Sequence, residues 1–267
     1  MQTDVTAIVR EALGADIVLA APPERIAGGL TNENWLVRAA GGAWVVRIGN
    51  PRSAQLQIDR RAEQVALRAA AHAGLGPLLT FCDPERQWLV TEYLGGAAWT
   101  ARQVRQQENI VKIAAMLRKL HALPKPPGAR HVDLHAILSG YWNELMATGL
   151  GARTGAAKQR ARARHLAAEL ATDAVTCLCH NDLHHLNVVE REDGALRLVD
   201  WEYAGIGDPY FDLASVCCYH AFNDADRAAL LRAYLGADRR AALERLHRMC
   251  WLFDYIRELW FAVRESP

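Results

Sequence analysis

Cys179-His180-Asn181-Asp182-Leu183-His184-His185-Leu186-Asn187-Val188-Val189-Glu190, followed after a short polar interval by Leu196-Arg197-Leu198-Val199-Asp200-Trp201-Glu202-Tyr203, decides how this chain is read. Residues 186–190 and 196–200 are β-rich runs, and Asp193-Gly194 between them is a dipeptide favoured in two-residue hairpin turns. A turn at 193–194 makes Asn187 and Asp200 cross-strand partners, with Cβ atoms about 5 Å apart. Two oxygen-bearing side chains so placed suit a hard cation such as Mg²⁺, which prefers carboxylate and carbonyl oxygens together with substrate phosphates. Asp182, a short loop upstream, can stand beside that cation without being a necessary ligand. It is the natural general base for phosphoryl transfer to an alcohol, where such a group orients the hydroxyl and metal ions neutralise charge on the transferred phosphate. The alternative is a surface loop with capping Asp and Asn; the register and the H-x-D-x-x-x-x-N spacing together favour chemistry.

Working outward, Asn34 to Arg38 and Ala43 to Ile48 flank Gly41-Gly42 and read as a hairpin, with Gly28-Gly29 before it. A helical pattern runs from about Ser53 to Ala71, Gly74, Gly76 and Pro77 end it, and Gln87 to Glu92 reads as a further strand. Beyond Gly95-Gly96 the pattern is mainly helical: Ile110, Ile113, Ala114, Leu117 and Leu120 recur at helical spacing until Pro124, and residues 155–171 and 225–263 follow suit. Pro126 and Pro127 predict an extended segment between these helices. The expectation is an α+β chain with a β-rich first domain, residues 1–92, and a mainly helical second, residues 93–267.

Composition sets the outer limits. The chain has 267 residues, 51% hydrophobic and 23% charged, an ordinary globular balance that argues against disorder. Its 31 basic and 30 acidic residues give a net charge of +1, so no global field points to nucleic acid. No uncharged stretch is long enough to span a bilayer, and the first residues lack the pattern of a secretory signal, so a cytoplasmic protein with no membrane partner is expected. Six irregularly spaced cysteines make reduced thiols the default.

On HNDLHHLN followed by DWEYAGIGDPYFDLAS, and over most of the chain from about Gly28 to Phe261, the sequence resembles the aminoglycoside phosphotransferase and choline kinase superfamily, relatives of the protein kinases. The resemblance implies a two-lobed protein kinase-like fold with ATP between the lobes, Asp182 as catalytic base, Asn187 and Asp200 as Mg²⁺ ligands, and His180 and Asp212 bracing the catalytic loop. The protein-kinase triplet D-F-G is replaced by Asp200-Trp201-Glu202, a departure that fits the small-molecule kinases. It further implies that Gly28, Gly29 and the residues to Asn34 offer phosphate-binding groups, and that Arg47 stands where kinases usually place lysine, paired with Glu63. Glu92, Tyr93 and Leu94 would form the hinge that meets adenine. A guanidinium holds carboxylate and phosphate through a planar fork, so arginine at 47 is workable.

For the acceptor, the resemblance implies a small alcohol, choline or ethanolamine, with thiamine as the alternative and aminoglycosides or sugars behind. Tyr203 would face the acceptor. On the last helix Trp251 and Tyr255 fall on one face with Glu258, whereas Trp260 points elsewhere yet matches the choline kinase-like pattern; both faces remain open. Zinc at Cys177, Cys179, His180, His184 and His185 is set aside for want of paired ligand spacing. The basic run Arg153, Lys158, Arg160, Arg162 and Arg164 reads as a solvated helix. A non-catalytic binding module would have lost the base or metal ligands, and a protein kinase would carry D-F-G and A-P-E.

Overall fold

Val37, Val46 and Val90 are fully buried on three neighbouring strands, and the sheet they anchor forms one side of the molecule. The computed structural model describes residues 4–27, 31–151, 155–172 and 174–266. Its first layer is an antiparallel sheet of β1 (Glu24–Ile26), β2 (Glu33–Ala39), β3 (Gly42–Ile48), β4 (Leu79–Asp83) and β5 (Trp88–Glu92), in the order β1-β2-β3-β5-β4. Ala39 lies opposite Gly42, so the β2–β3 hairpin turns where the glycine pair predicts. Helix α1 (Val5–Leu13), which the sequence reading did not foresee, buries Val5, Ile8 and Val9 against those three valines. Helix α2 (Arg60–His72) starts later than its periodicity suggested. Residues 51–57 are turns, Gln57 has φ +60°, and Asp59 caps the helix by accepting from the Arg61 and Ala62 amides.

The chain leaves the sheet at Glu92 and rejoins a strand at β6 (Ala97–Ala98). The helical part comprises α3 (Ala101–Val104), α4 (Gln107–His121), α5 (Leu134–Ala147), α6 (Arg160–Ala171), α7 (Pro209–Tyr219), α8 (Asp224–Leu235) and α9 (Arg240–Arg264). Strands β7 (Cys177–Cys179) and β10 (Gly205–Gly207) pair as one ribbon, and β6, β8 (Val188–Glu190) and β9 (Leu196–Leu198) form another small sheet. The expected helix over 225–263 is two helices, because Gly236 takes the left-handed conformation, φ +73°, that closes α8. Helix α5, capped by Asp133, was hidden behind the extended reading of Pro126 and Pro127. Among the described residues no helix is long and apolar enough to cross a membrane.

The β8–β9 hairpin corrects the expected register. The Gly194 amide donates to Arg191 O at 2.9 Å and the Arg191 amide to Ala195 O at 3.0 Å, so the loop holds residues 192–194, with Gly194 at φ +76°. A three-residue loop ending in a left-handed glycine shifts the pairing by one from the two-residue turn. Val188 therefore pairs with Leu198, and Asn187 O accepts from the Val199 amide at 3.0 Å; Asp200 is not its cross-strand partner. Such a slip would send Asp200 to the opposite face. The chain compensates after β9: Asp200 itself takes φ +63° and lines the same cavity as Asn187.

Candidate active site

Between the sheet and the helical part lies a cavity of about 720 Å³. Among the residues expected from sequence, Asp182, Asn187, Asp200, Asn34, Arg47, Glu63, Glu92, Leu94, Tyr203 and Trp260 line it. Gly28 and Gly29 lie outside the described residues. Tyr93 donates its amide to Ala43 O at 2.8 Å, which ties the crossing segment to the start of the central strand β3.

Asp212, on α7 and fully buried, organises the loop below. Its Oδ2 accepts from the His180 amide at 2.9 Å and its Oδ1 from the Asn181 amide at 2.6 Å. Asn181 sits at φ +69°, a conformation that Asn tolerates better than most residues, and its Nδ2 donates to Tyr203 O at 2.9 Å. The His180 ring lies 3.0 Å from Val199 O through Nε2, while Nδ1 accepts from the Asp182 amide at 3.3 Å. Burial lowers the imidazole pKa, which keeps it neutral and able to play both parts. His180 thus links the loop to the residue before Asp200.

Asp182 is held on both carboxylate oxygens. Tyr219 donates its hydroxyl to Oδ1 at 2.7 Å, and Asn187 Nδ2 donates to Oδ2 at 3.3 Å and to the Asp182 carbonyl at 2.9 Å. Burial pushes the Asp182 carboxyl up to about 6, against the opposing pull of those donors. Because both Asn187 donor contacts use Nδ2, its Oδ1 remains to act as a ligand.

Asp200 lies in a crowd of acids. Burial raises its carboxyl well above the usual range, the Glu202 carboxylate adds to this, and Arg47, with Nη1 3.4 Å from Oδ1, opposes it. A divalent cation relieves such a site, and Asp200 with Asn187 Oδ1 supplies the hard oxygen donors that Mg²⁺ takes. Arg47 grips Glu63 through both terminal nitrogens, Nη2 to Oε2 at 2.6 Å. Arg60 bridges Glu63 and Glu202, each at 3.0 Å. Burial acts to raise the Glu63 carboxyl, but the two arginines hold it below its ordinary value.

The structure separates the aromatic residues of α9. Trp251 and Tyr255 do not line the cavity. Their rings stack at 5.7 Å, Arg162 lies 4.1 Å over Trp251, and the Tyr255 hydroxyl joins Trp142 Nε1 to Ala156 O, each at 3.1 Å. That face packs against α5, α6 and the turn before α6, so it cannot form an acceptor cage. Trp260 instead reaches the cavity and donates Nε1 to the Tyr203 hydroxyl at 2.7 Å.

The chain's residues 23–247 match the family described as APH, phosphotransferase enzyme family. This chain belongs to that family. Protein LicA of Haemophilus influenzae is 28% identical over 256 residues, covering 90% of this chain and 72% of LicA. Thiamine kinase of Escherichia coli (strain SMS-3-5 / SECEC) is 30% identical over 192 residues, 70% of this chain and 63% of that enzyme. A solved choline/ethanolamine kinase family protein from Mesorhizobium loti superposes with a TM-score of 0.74 at 28% identity, covering 97% of this chain and 85% of the other. The fold of this APH chain is accordingly two-lobed and protein kinase-like.

Several residues of the APH site escaped the sequence reading. Tyr219 gives no motif signal and is visible only once α7 packs beside the loop. Thr31 and Asn32 were read only as part of the phosphate-binding segment and Glu202 only as part of the D-W-E triplet; that these join one another and Arg60 was not seen, because the contacts link residues distant in sequence. Cys177 and Cys179 do share a strand face, with sulfurs 3.7 Å apart, and cluster with His121. Both His121 nitrogens are engaged, one with the Tyr234 hydroxyl at 2.8 Å and one with Asp212 at 3.0 Å, which leaves that ring no lone pair for a metal.

Proposed function

We propose that this phosphotransferase moves the γ-phosphate of ATP to the hydroxyl of a small alcohol. The observation that carries the reading is Asp182 in one cavity with Asn187 and Asp200 and with the segment that crosses between the lobes. Asp182 Oδ2, with the Asn187 amide at 3.3 Å and His184 Nε2 at 3.7 Å, accepts and orients the acceptor hydroxyl and takes its proton as the new P–O bond forms. Asn187 and Asp200 would hold Mg²⁺, which supplies charge neutralisation on the phosphates. Arg47 is fixed on Glu63 with its edge toward Asp200, so it steadies that carboxylate and the phosphate end of the cavity. Adenine would lie at Glu92 to Leu94; a LicA of the same fold has been solved in complex with AMP, which supports nucleotide use.

Choline and ethanolamine are the acceptors expected from the resemblance, with thiamine the alternative. In their favour stand Tyr203 and Trp260 in the cavity wall and the names of the relatives. Aromatic surface does not by itself choose a cationic alcohol, since Tyr and Trp pack uncharged groups as well. The test is Mg²⁺-dependent ADP release against choline, ethanolamine, thiamine, kanamycin and simple sugars, with Asp182→Ala alongside. An acceptor-dependent rate that falls by orders of magnitude in the variant, with ATP binding kept, is expected. A turnover number unchanged by the substitution would remove Asp182 from the role.

A further inference from the structure

The carboxylates that line the cavity all have other work. Glu63 and Glu202 take arginines, Asp200 belongs to the metal site, Asp182 is the base, and Glu92 lies at the hinge. Among the described residues, the one charged side chain that α9 brings to the cavity wall is a cation. Arg257 lines the wall, with its guanidinium 5.4 Å over the ring of Tyr219, the same residue whose hydroxyl holds Asp182. Arg264 lies 5.6 Å over Trp260. A quaternary or primary ammonium seeking those rings would find cations of the protein already on them.

Among the described residues Arg257 has one ionic partner, Asp254, at 2.7 Å through Nη2. Asp254 is half exposed and three residues back on the same helix, a solvent-screened pairing that binds the guanidinium weakly. The stacked guanidinium is planar and oriented, and it keeps donors for a second carboxylate. A second arginine of the cavity wall, the half-buried Arg130, bonds three carbonyls, of Gln57, Tyr203 and Ala204 at 2.8, 2.8 and 3.2 Å, and among the described residues no carboxylate.

We propose that Arg257 makes this an acceptor site for an alcohol carrying a carboxylate, with the acid on the guanidinium and the hydroxyl at Asp182, in preference to a cationic alcohol. This rests on the small-alcohol kinase reading and names its substrate class. The transfer itself is unchanged: the acceptor oxygen bonds phosphorus, the bond from phosphorus to the ADP oxygen breaks, and the hydroxyl proton goes to Asp182.

The experiment is calorimetric titration of the full chain, with and without Mg²⁺ and a non-hydrolysable ATP analogue. Glycolate, 3-hydroxypropionate and 4-hydroxybutyrate are set against ethanolamine, 3-aminopropan-1-ol and choline. The best hydroxy acid should bind at least about tenfold more tightly than every amine. Arg257→Gln should abolish that preference, and Arg257→Glu should reverse it, a gain of amine binding that misfolding cannot mimic. The proposal is overturned if an amine binds the native protein best, if no hydroxy acid binds better than its counterpart, or if both Arg257 variants keep the native order. ADP release with the same panel separates the two readings. Hydroxy-acid preference without Asp182-dependent ADP release from any of them would retire the kinase reading alone, whereas Asp182-dependent release greatest with an amine would retire the acceptor class alone.

Discussion

Asp182 carries opposing demands in one side chain. To take a proton it must be ionised, yet burial favours its neutral form and places it at about 6, with the Tyr219 hydroxyl and Asn187 amide pulling the other way. Activity should therefore fall as pH drops through about 6, and Tyr219→Phe, which removes a donor to the charged form, should move that acid limb to higher pH. A pH profile of kcat/KM for both proteins checks this; coincident limbs would count against the hydrogen bond. The same shift bears on stability. A carboxyl whose folded pKa is raised stabilises the fold most below its unfolded pKa, and that contribution is lost as pH rises through about 6. At neutral pH the metal-free protein thus carries a cost of about 3 kcal/mol, and Asp182→Asn should raise its Tm while abolishing turnover. Asp182 was legible because base and ligand share one short motif. Tyr219 was not, because its contact exists only after α7 folds back across 37 residues of chain.

Loop chemistry decides the site's geometry at the level of elements. The Asp-Gly signal located the β8–β9 hairpin, but the loop length turned on whether the turn began at Arg191 or Glu192, a distinction of one backbone hydrogen bond. The α9 faces were ambiguous for a related reason: periodicity gives the faces, and only the positions of α5 and α6 decide which is buried. The crossing between the lobes offers a sharp test of such local constraints. Gly95 and Gly96 both have positive φ, +65° and +71°. A Cβ on Gly95 would meet nothing within 4 Å, whereas on Gly96 it would sit 2.2 Å from the carbonyl oxygen of Glu190. Gly95→Ala should cost only the left-handed strain of about 1 kcal/mol. Gly96→Ala must also push β6 off β8, so it should cost several kcal/mol and weaken nucleotide binding at the adjacent hinge. Thermal melts and nucleotide titrations of the pair check this, and equal losses of Tm would discount the contact.

Across the whole molecule, the lobes are tied by polar contacts between residues far apart in sequence, and these were the part least visible beforehand. Arg52, from the turns before α2, caps the end of α9 through the carbonyls of Val263 and Ser266 at 3.1 and 2.8 Å. Glu202, two residues beyond Asp200 and almost fully buried, accepts from Thr31 Oγ1 at 2.8 Å, Asn32 Nδ2 at 2.7 Å and Arg60 at 3.0 Å. It therefore joins the expected phosphate-binding segment to the loop that carries Asp200, the proposed metal ligand. Removing one member of a buried ionic network leaves its partners desolvated and unpaired, a loss of about 3 kcal/mol or more. Glu202→Gln keeps the shape, so its effect isolates charge: Arg60 retains Glu63 but loses half its compensation, and Thr31 and Asn32 lose a charged acceptor. For a chain of this size that loss corresponds to a fall in Tm of about 6–12 °C. If Glu202 also positions the phosphate side of the cleft, the KM for ATP should rise more than the KM for the acceptor, because Thr31 and Asn32 lie at the nucleotide end. A lower Tm with both KM values raised equally would leave Glu202 a structural tie alone, and an unchanged Tm would show that the ties around Arg52 hold the lobes without it.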